Sequence, residues 1–529
     1  MPPALSRDFV RPGRSVALGE SGMVATSHPD STLAAIDILR AGGSAADAAI
    51  AAAAVQGVVD PLMTGVGGDC FVLYAPAGRA PVALNGSGRA PRRISITALG
   101  DIKAISDDSP HAVTIPGTIA AWSALGQRFG RLGLDACLQP AIRFAREGWR
   151  AHPRVVRDWR LQRERLSRGP GRDALLIDGQ APAVGDRMTS EALAGTLEIV
   201  AREGERGFYE GPVAAAMTER LRELGGFHVE EDFADRRVEW TAPISAPYRD
   251  RHLVECPPNG QGLAALIIAR VMSRFDLSDA RLSVADRVHI HAEATKAGYR
   301  LRDAIVADPE ASPVDVEAVL SEASIDRIAS HIHMDRAAEP SAFDMPNHRD
   351  TVYLTVVDRE RNVCSFINSI FHGFGSTIVC PRTGVIFQNR GLGFSLSPSH
   401  PNALAPGKRP MHTIIPGLIM KDERVETSFG VMGGQYQAAG HAQFLSRMVD
   451  LGEDPQQAAD APRSFAHDGK LTLESTHAPE TAEALQRKGH TVVMSDDPLG
   501  GCQAIGVDWE RGVLVGASDH RKDGFAVGY

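Results

Sequence analysis

The chain has 529 residues, 43% hydrophobic and 23% charged, with a formal net charge of −9 and a pI near 6.1. That length points by default to two or three domains, and the acidic balance excludes a nucleic-acid binder, which needs a basic surface to neutralise phosphate. The cysteines Cys70, Cys137, Cys256, Cys364, Cys380 and Cys502 have neither zinc-ligand spacing nor the pattern of a secreted disulfide framework. Met1–Pro12 lacks the apolar core of a signal peptide, and the alanine-rich run 48–59 is too short to span a bilayer. A reduced, soluble, cytoplasmic protein is expected, with no membrane partner.

In chain order, Met23–Ser27 reads as a strand and residues 30–40 as a helix capped by Asp30 or Ser31, with Leu33, Ile36 and Leu39 apolar and Gly42-Gly43 closing it. A second, alanine-rich helix covers 45–58, and the glycine turn Thr64–Asp69 feeds a strand Cys70–Tyr74. Residues 115–225 are mainly helical in pattern, 238–256 hold two strands, and helices follow over 263–275 and 289–305. Residues 308–349, rich in Asp, Glu, Ser and Pro, read as an exposed connector suited to a chain break. From Thr351 the texture changes to short β-branched runs at 351–357, 363–370, 377–379, 385–388, 414–420 and 427–431, with a helix over 436–450. The pattern suggests an α/β fold, a four-layer αββα sandwich.

Several constellations bear on chemistry. The glycine turn 65–68 lies between helix and strand, the reverse of a dinucleotide fingerprint, and a tight turn for close packing is the better account. His289-Ile290-His291 falls on a helix, where residues two apart point away from each other, and His331-Ile332-His333 falls in the connector, so no metal is expected. Asn85-Gly86-Ser87-Gly88 lacks the strand–turn–helix setting of a nucleophile elbow. Thr351 heads a strand with no histidine beside it in sequence. A threonine hydroxyl needs a base, and an α-amine on the same residue, with a pKa of about 7.7–8.0, can supply one.

Met23–Pro29, Leu39–Ala49, Gly65–Gly68, Pro116–Thr118, Gly207–Gly211, Glu293–Lys296, Gly375, Lys408–Pro410, Gly433-Gly434 and Ala461–Arg463, in that order, resemble the gamma-glutamyltransferase family. The resemblance implies an N-terminal-nucleophile hydrolase fold and a precursor that cuts itself between Asp350 and Thr351. The products are a large subunit, 1–350, and a small one, 351–529, with a dimer of heterodimers as one assembly open to them. It makes Thr351 the nucleophile and Gly433 and Gly434 the oxyanion hole, where fixed N–H groups stabilise developing charge. Ser369 stands where the family has a threonine that hydrogen-bonds the nucleophile, and no cofactor is implied.

Departures from the family pattern concern the substrate. The arginine that grips a glutamate α-carboxylate falls on Ser87, and the aspartate that pairs with the α-ammonium falls on Gly393. The paired serines after Lys-Arg-Pro are His412 and Thr413, and an asparagine near the nucleophile becomes Phe371. Arg390 is a new cation in the same loop, and Arg89 lies close to the vanished one, so each is a candidate carboxylate clamp. Such a pocket suits a small acid amide without an α-amine. With the segment Phe371-His372-Gly373-Phe374-Gly375-Ser376, the chain looks like the oxamate amidohydrolase branch. Glutathione hydrolysis or gamma-glutamyl transfer, glutaryl acylase activity, and a non-catalytic scaffold are the alternatives.

Overall fold

The computed structural model describes residues 7, 13–339 and 351–529. Two seven-stranded antiparallel sheets face each other. One runs Ala526–Gly528, Met23–Ala25, Val352–Val357, Val363–Ser369, Asp69–Ala75, Val82–Gly86, Glu239–Thr241. The other runs Ala17–Gly19, Val513–Ser518, Gly501–Asp508, Arg424–Met432, Gly417–Lys421, Arg251–Glu255, Ile244–Tyr248. Alternation along each strand sends one set of side chains inward. Phe71, Leu73, Val254, Tyr353, Ile367, Leu418 and Ile505 fill the space between the sheets. The opposite faces carry helices. Val24, Val72, Leu354 and Val356 pack under the helices Pro29–Arg40, Ala45–Val59 and Thr118–Phe129. Ile419, Phe429, Val431 and Ala504 pack under Gly262–Met272, Val284–Ile305 and Gln437–Asp450. The expected αββα layering is what the chain forms.

The helix Ala45–Val59 is buried along its whole length, which explains a composition apolar on every side; Ser44 and Asp47 cap it reciprocally. The preceding helix begins two or three residues earlier than its cap signals suggest: Pro29 opens it, and His28 Nδ1 accepts from Asp30 N at 3.3 Å in place of an Asp30 or Ser31 cap. Leu33, read as a core position, is 58% exposed. The segments 377–379 and 385–388 form no named strands: they pair at one isolated bridge, Val379–Ile386, with Phe387 N donating to Ile378 O at 3.0 Å, and Thr377 has φ +57°, outside strand geometry. The glycine turn is a packing device. A Cβ on Gly67 would come within 2.1 Å of the Ile386 carbonyl, and one on Gly68 within 2.3 Å of the Ser369 carbonyl.

Strands from both sides of position 350 interleave in each sheet, so 1–350 and 351–529 share one fold instead of forming two side-by-side domains. The connector contains the short helices Val316–Val319 and Glu322–Ala329. Asp350 lies outside the described residues. Among the described residues no helix is long and apolar enough to cross a membrane, and all six cysteines are buried thiols.

Candidate active site

Thr351 sits at the head of the central strand Val352–Val357, fully buried, directly across from the end of its neighbour Val363–Ser369. That antiparallel register brings Ser369 Oγ to 3.4 Å from Thr351 Oγ1. Ser369 Oγ accepts from Phe371 N at 3.0 Å and from Arg390 Nη2 at 3.3 Å. Either hydroxyl of the Thr351–Ser369 pair can be the donor. A further donor reaches the threonine oxygen: Gln437 Nε2 stands 3.4 Å from Thr351 Oγ1, while Gln437 Oε1 accepts from Ile415 N at 3.0 Å.

Gln437 opens the helix Gln437–Asp450, and the turn before it is Gly433-Gly434, following the strand Arg424–Met432. Gly433 has φ +124° and Gly434 φ +58°, values that turn the backbone sharply at the sheet edge and that side chains disfavour. Among the described residues, neither glycine amide donates a hydrogen bond. The turn is held by the helices that cover its own sheet, Gly262–Met272 and Val284–Ile305. Gln261 Nε2 donates to Gly434 O at 3.1 Å and Thr413 O at 2.6 Å. The buried Arg302 donates to Gln261 Oε1 at 2.7 Å and Gln435 Oε1 at 2.6 Å, and Tyr299 OH donates to Gln435 O.

Beside Ser369 lies Arg390, with no exposed surface. Its Nη1 donates to Thr413 Oγ1 at 2.9 Å, and its guanidinium lies 4.1 Å over the Phe371 ring. Phe371 adopts φ +80°, a strained conformation for an aromatic residue, which lays the ring beneath the cation. Among the described residues, no carboxylate forms an ion pair with Arg390, and its Nε has no partner. Burial lowers its pKa to about 9, with Asp69 opposing the shift, so it stays charged at neutral pH.

Burial, reinforced by the Arg390 charge and opposed by Asp69, lowers the His412 pKa to about 4. His412 Nδ1 accepts from Ile414 N at 3.4 Å, so the neutral ring carries its proton on Nε2 and donates to Asp69 Oδ2 at 2.9 Å. Ser87 stands in a separate amide network: its hydroxyl donates to Asn85 Oδ1 at 2.7 Å and accepts from Asn259 Nδ2 at 3.2 Å.

Two expected site residues are not brought to Arg390. Arg89 is held by Glu310 at 2.7 Å, Glu239 at 3.3 Å and Asp308 at 3.6 Å, so its charge is already neutralised. His372 stacks on Phe371 and faces Asp107 at 3.6 Å. It lines a cleft of about 280 Å³ with Arg154, Arg165, Gly500 and Lys522. His289 and His291 diverge as helix geometry requires: His289 bonds His333 O and His490, while His291 bonds Ala439 O. Sequence reasoning missed Asp69, Gln261, Arg302 and Gln437. Asp69 had a signal, a carboxylate at the head of an otherwise apolar strand; the others had none beyond their motifs.

Two opposed antiparallel sheets between helical layers, with a hydroxyl at the head of a central strand, make this an N-terminal-nucleophile hydrolase, an enzyme fold. The family model described as Gamma-glutamyltranspeptidase matches residues 31–529, and the chain belongs to that family. It is 35% identical over 526 residues to an oxamate amidohydrolase proenzyme of Klebsiella pneumoniae, covering 96% of this chain and 98% of that one. It is 34% identical over 525 residues to the glutathione hydrolase-like YwrD proenzyme of Bacillus subtilis, covering 97% and 99%. The crystal structure of a cephalosporin acylase from Bacillus halodurans superposes with a TM-score of 0.92 at 37% identity, over 99% of both chains.

Proposed function

We propose that this enzyme is a self-processing threonine amidohydrolase that cleaves a small amide bearing a carboxylate next to the scissile bond, with oxamate, giving oxalate and ammonia, as the leading substrate. The observation that carries this reading is Arg390, a buried cation without a carboxylate partner among the described residues, sharing the Ser369 hydroxyl with Thr351. Arg390 Nη2 and Thr351 Oγ1 stand 3.3 and 3.4 Å from that one oxygen. A carboxylate held by Arg390 must therefore be a near neighbour of the carbonyl that Thr351 attacks. In oxamate the two groups are directly bonded. A glutaryl group separates them by three methylenes, and a γ-glutamyl group adds an ammonium, for which the nearby anion Asp69 is already covered by four donors.

In the intact chain Thr351 has a peptide nitrogen. Attack of its hydroxyl on the Asp350 carbonyl, followed by hydrolysis of the resulting ester, frees the Asp350 carboxyl and the Thr351 α-amine, dividing 1–350 from 351–529. The neutral amine then takes the Oγ1 proton as the oxygen adds to the substrate amide carbon. Negative charge on the former carbonyl oxygen faces the Gly433 and Gly434 amides. The C–N bond breaks as the α-ammonium returns its proton to departing ammonia. Water, deprotonated by the same amine, hydrolyses the acyl ester and restores Thr351.

Intact-mass analysis under denaturing conditions tests the processing: two chains divided at Asp350/Thr351 are expected, and one unbroken chain for Thr351→Ala. A wild-type chain that never divides would sink the catalytic reading. Ammonia release from oxamate, set against hydrolysis of a γ-glutamyl anilide and a glutaryl amide, tests the acyl group. Oxamate should have the highest kcat/KM. The resemblance to a cephalosporin acylase makes the glutaryl amide the competing substrate.

A further inference from the structure

Asp69 is fully buried at the start of the strand Asp69–Ala75, immediately after the packed glycine turn. Its Oδ1 accepts from Gly88 N at 2.9 Å, Gly117 N at 3.3 Å and Gln388 Nε2 at 2.9 Å. Its Oδ2 accepts from His412 Nε2 at 2.9 Å. These four donors come from four segments. Gln388 is two residues from Arg390, and His412 is one residue from Thr413. A single carboxylate thus fixes both ends of the Arg390–Thr413 hydrogen bond.

His412 does more than hold its loop. Its backbone N–H donates to Asn259 O at 2.8 Å, its carbonyl accepts from Gln261 N at 2.9 Å, and its ring lies 4.9 Å from Phe71. The imidazole is thereby locked over Oδ2. Near Thr351 lie a buried cation, Arg390, and a buried anion, Asp69, and the anion's oxygens are covered by these four donors. An α-ammonium entering here would have to displace His412 to reach Asp69.

We infer that Asp69 and His412 are the positioning residues that restrict the acyl group to one bearing a carboxylate and no ammonium. Asp69 sets the Arg390 clamp, and His412 masks the carboxylate that an α-amino acyl group would otherwise pair with. This rests on the carboxylate-amide reading above. It adds that the rejection of amino-bearing acyl groups comes from a covered anion, beyond the absence of the family's usual aspartate at Gly393.

The experiment compares processed wild type, Asp69→Asn, His412→Ala and His412→Gln, each verified by circular dichroism and intact mass. The readout is kcat and KM for oxamate and for a γ-glutamyl anilide. In Asp69→Asn the side-chain NH2 faces the His412 N–H, so the clamp loosens. KM for oxamate should rise on the order of tenfold, as for a lost hydrogen bond to a charged group, with kcat changed much less. His412→Ala uncovers Oδ2, so the oxamate-to-anilide ratio of kcat/KM should fall at least about tenfold. His412→Gln, whose amide can still donate to Oδ2, should keep the wild-type ratio. An unchanged ratio in His412→Ala, or a His412→Gln ratio as low as that of alanine, overturns the inference. A wild-type enzyme that itself prefers the anilide overturns the underlying acyl-group reading instead, so the two failures are told apart.

Discussion

The proposed reaction side and the proposed recognition side of this site are built differently. Thr351, Ser369, Gln437 and Gly433-Gly434 sit at a strand start, a strand end and a strand–turn–helix junction, so backbone pairing fixes them. Arg390, His412, Thr413 and Ser87 sit on irregular segments and are held by side chains, through Asp69, Asn85 and Asn259. Loops on a rigid frame can be rewritten without moving the frame. One fold can thus keep its nucleophile while the acyl pocket exchanges an amino-acid clamp for a bare carboxylate clamp.

The largest effect should come from breaking the reaction side. Gly434→Ala puts a Cβ at φ +58° and shifts the turn that carries the two amides. For processed enzyme, kcat should fall on the order of 10²–10³, as for loss of one oxyanion donor, with KM close to wild type. A variant that instead raised KM and spared kcat would place the turn on the recognition side. Arg390→Met comes next and should show the reverse split. Removing the buried cation should raise KM for a carboxylate amide by about one to two powers of ten, the range for a hydrogen-bonded ion pair of roughly 1.5–3 kcal/mol. If kcat collapsed while KM held, Arg390 would belong to the reaction side through Ser369.

The same contrast governs what the sequence could disclose. Hydrophobic alternation and glycine placement made the layered sandwich, the central strand and the glycine turn readable, because periodicity and turn chemistry are local. The Thr351–Ser369 and Gly433-Gly434 pairings were readable only through the family resemblance, since nothing local joins residues eighteen or more apart. Asp69 was read only as the end of a turn, since nothing local says that four distant segments converge on it. Phe371 likewise reads as an apolar substitution. Its use as a shelf under Arg390 depends on a positive φ that the tertiary structure imposes.

Acid should act broadly, with a component on the recognition side. Burial is the first cause holding His28 near pKa 3 and His228, His291 and His412 near 4, well below the ordinary 6.5. Each is neutral when folded and binds a proton more readily when unfolded. The stability they contribute is therefore present above about pH 6.5 and lost as pH falls toward 4, at up to roughly 1.4 kcal/mol per histidine per pH unit. Thermal unfolding from pH 7.5 to 4.5 should show a flat region and then a steady fall. In His412→Gln that fall should be shallower by one histidine's share. An identical slope would mean that His412 is not protonated on unfolding in this range.

The smallest effect should come from Arg89, which is two residues from Ser87 in sequence yet is held away from Arg390. Its guanidinium is shared among Glu310, Glu239 and Asp308, and Arg409 reaches Glu239 at 2.7 Å independently. Removing Arg89 leaves that second cation in place, so the cluster keeps part of its neutralisation. Partly exposed ion pairs of this kind contribute about 0–1 kcal/mol. Arg89→Ala should therefore lower stability by no more than about 1 kcal/mol and leave kcat and KM within about threefold of wild type. A rise in KM matching that of Arg390→Met would mean that Arg89 leaves its three carboxylates when substrate binds. The recognition side would then contain two cations, and room for a dicarboxylate.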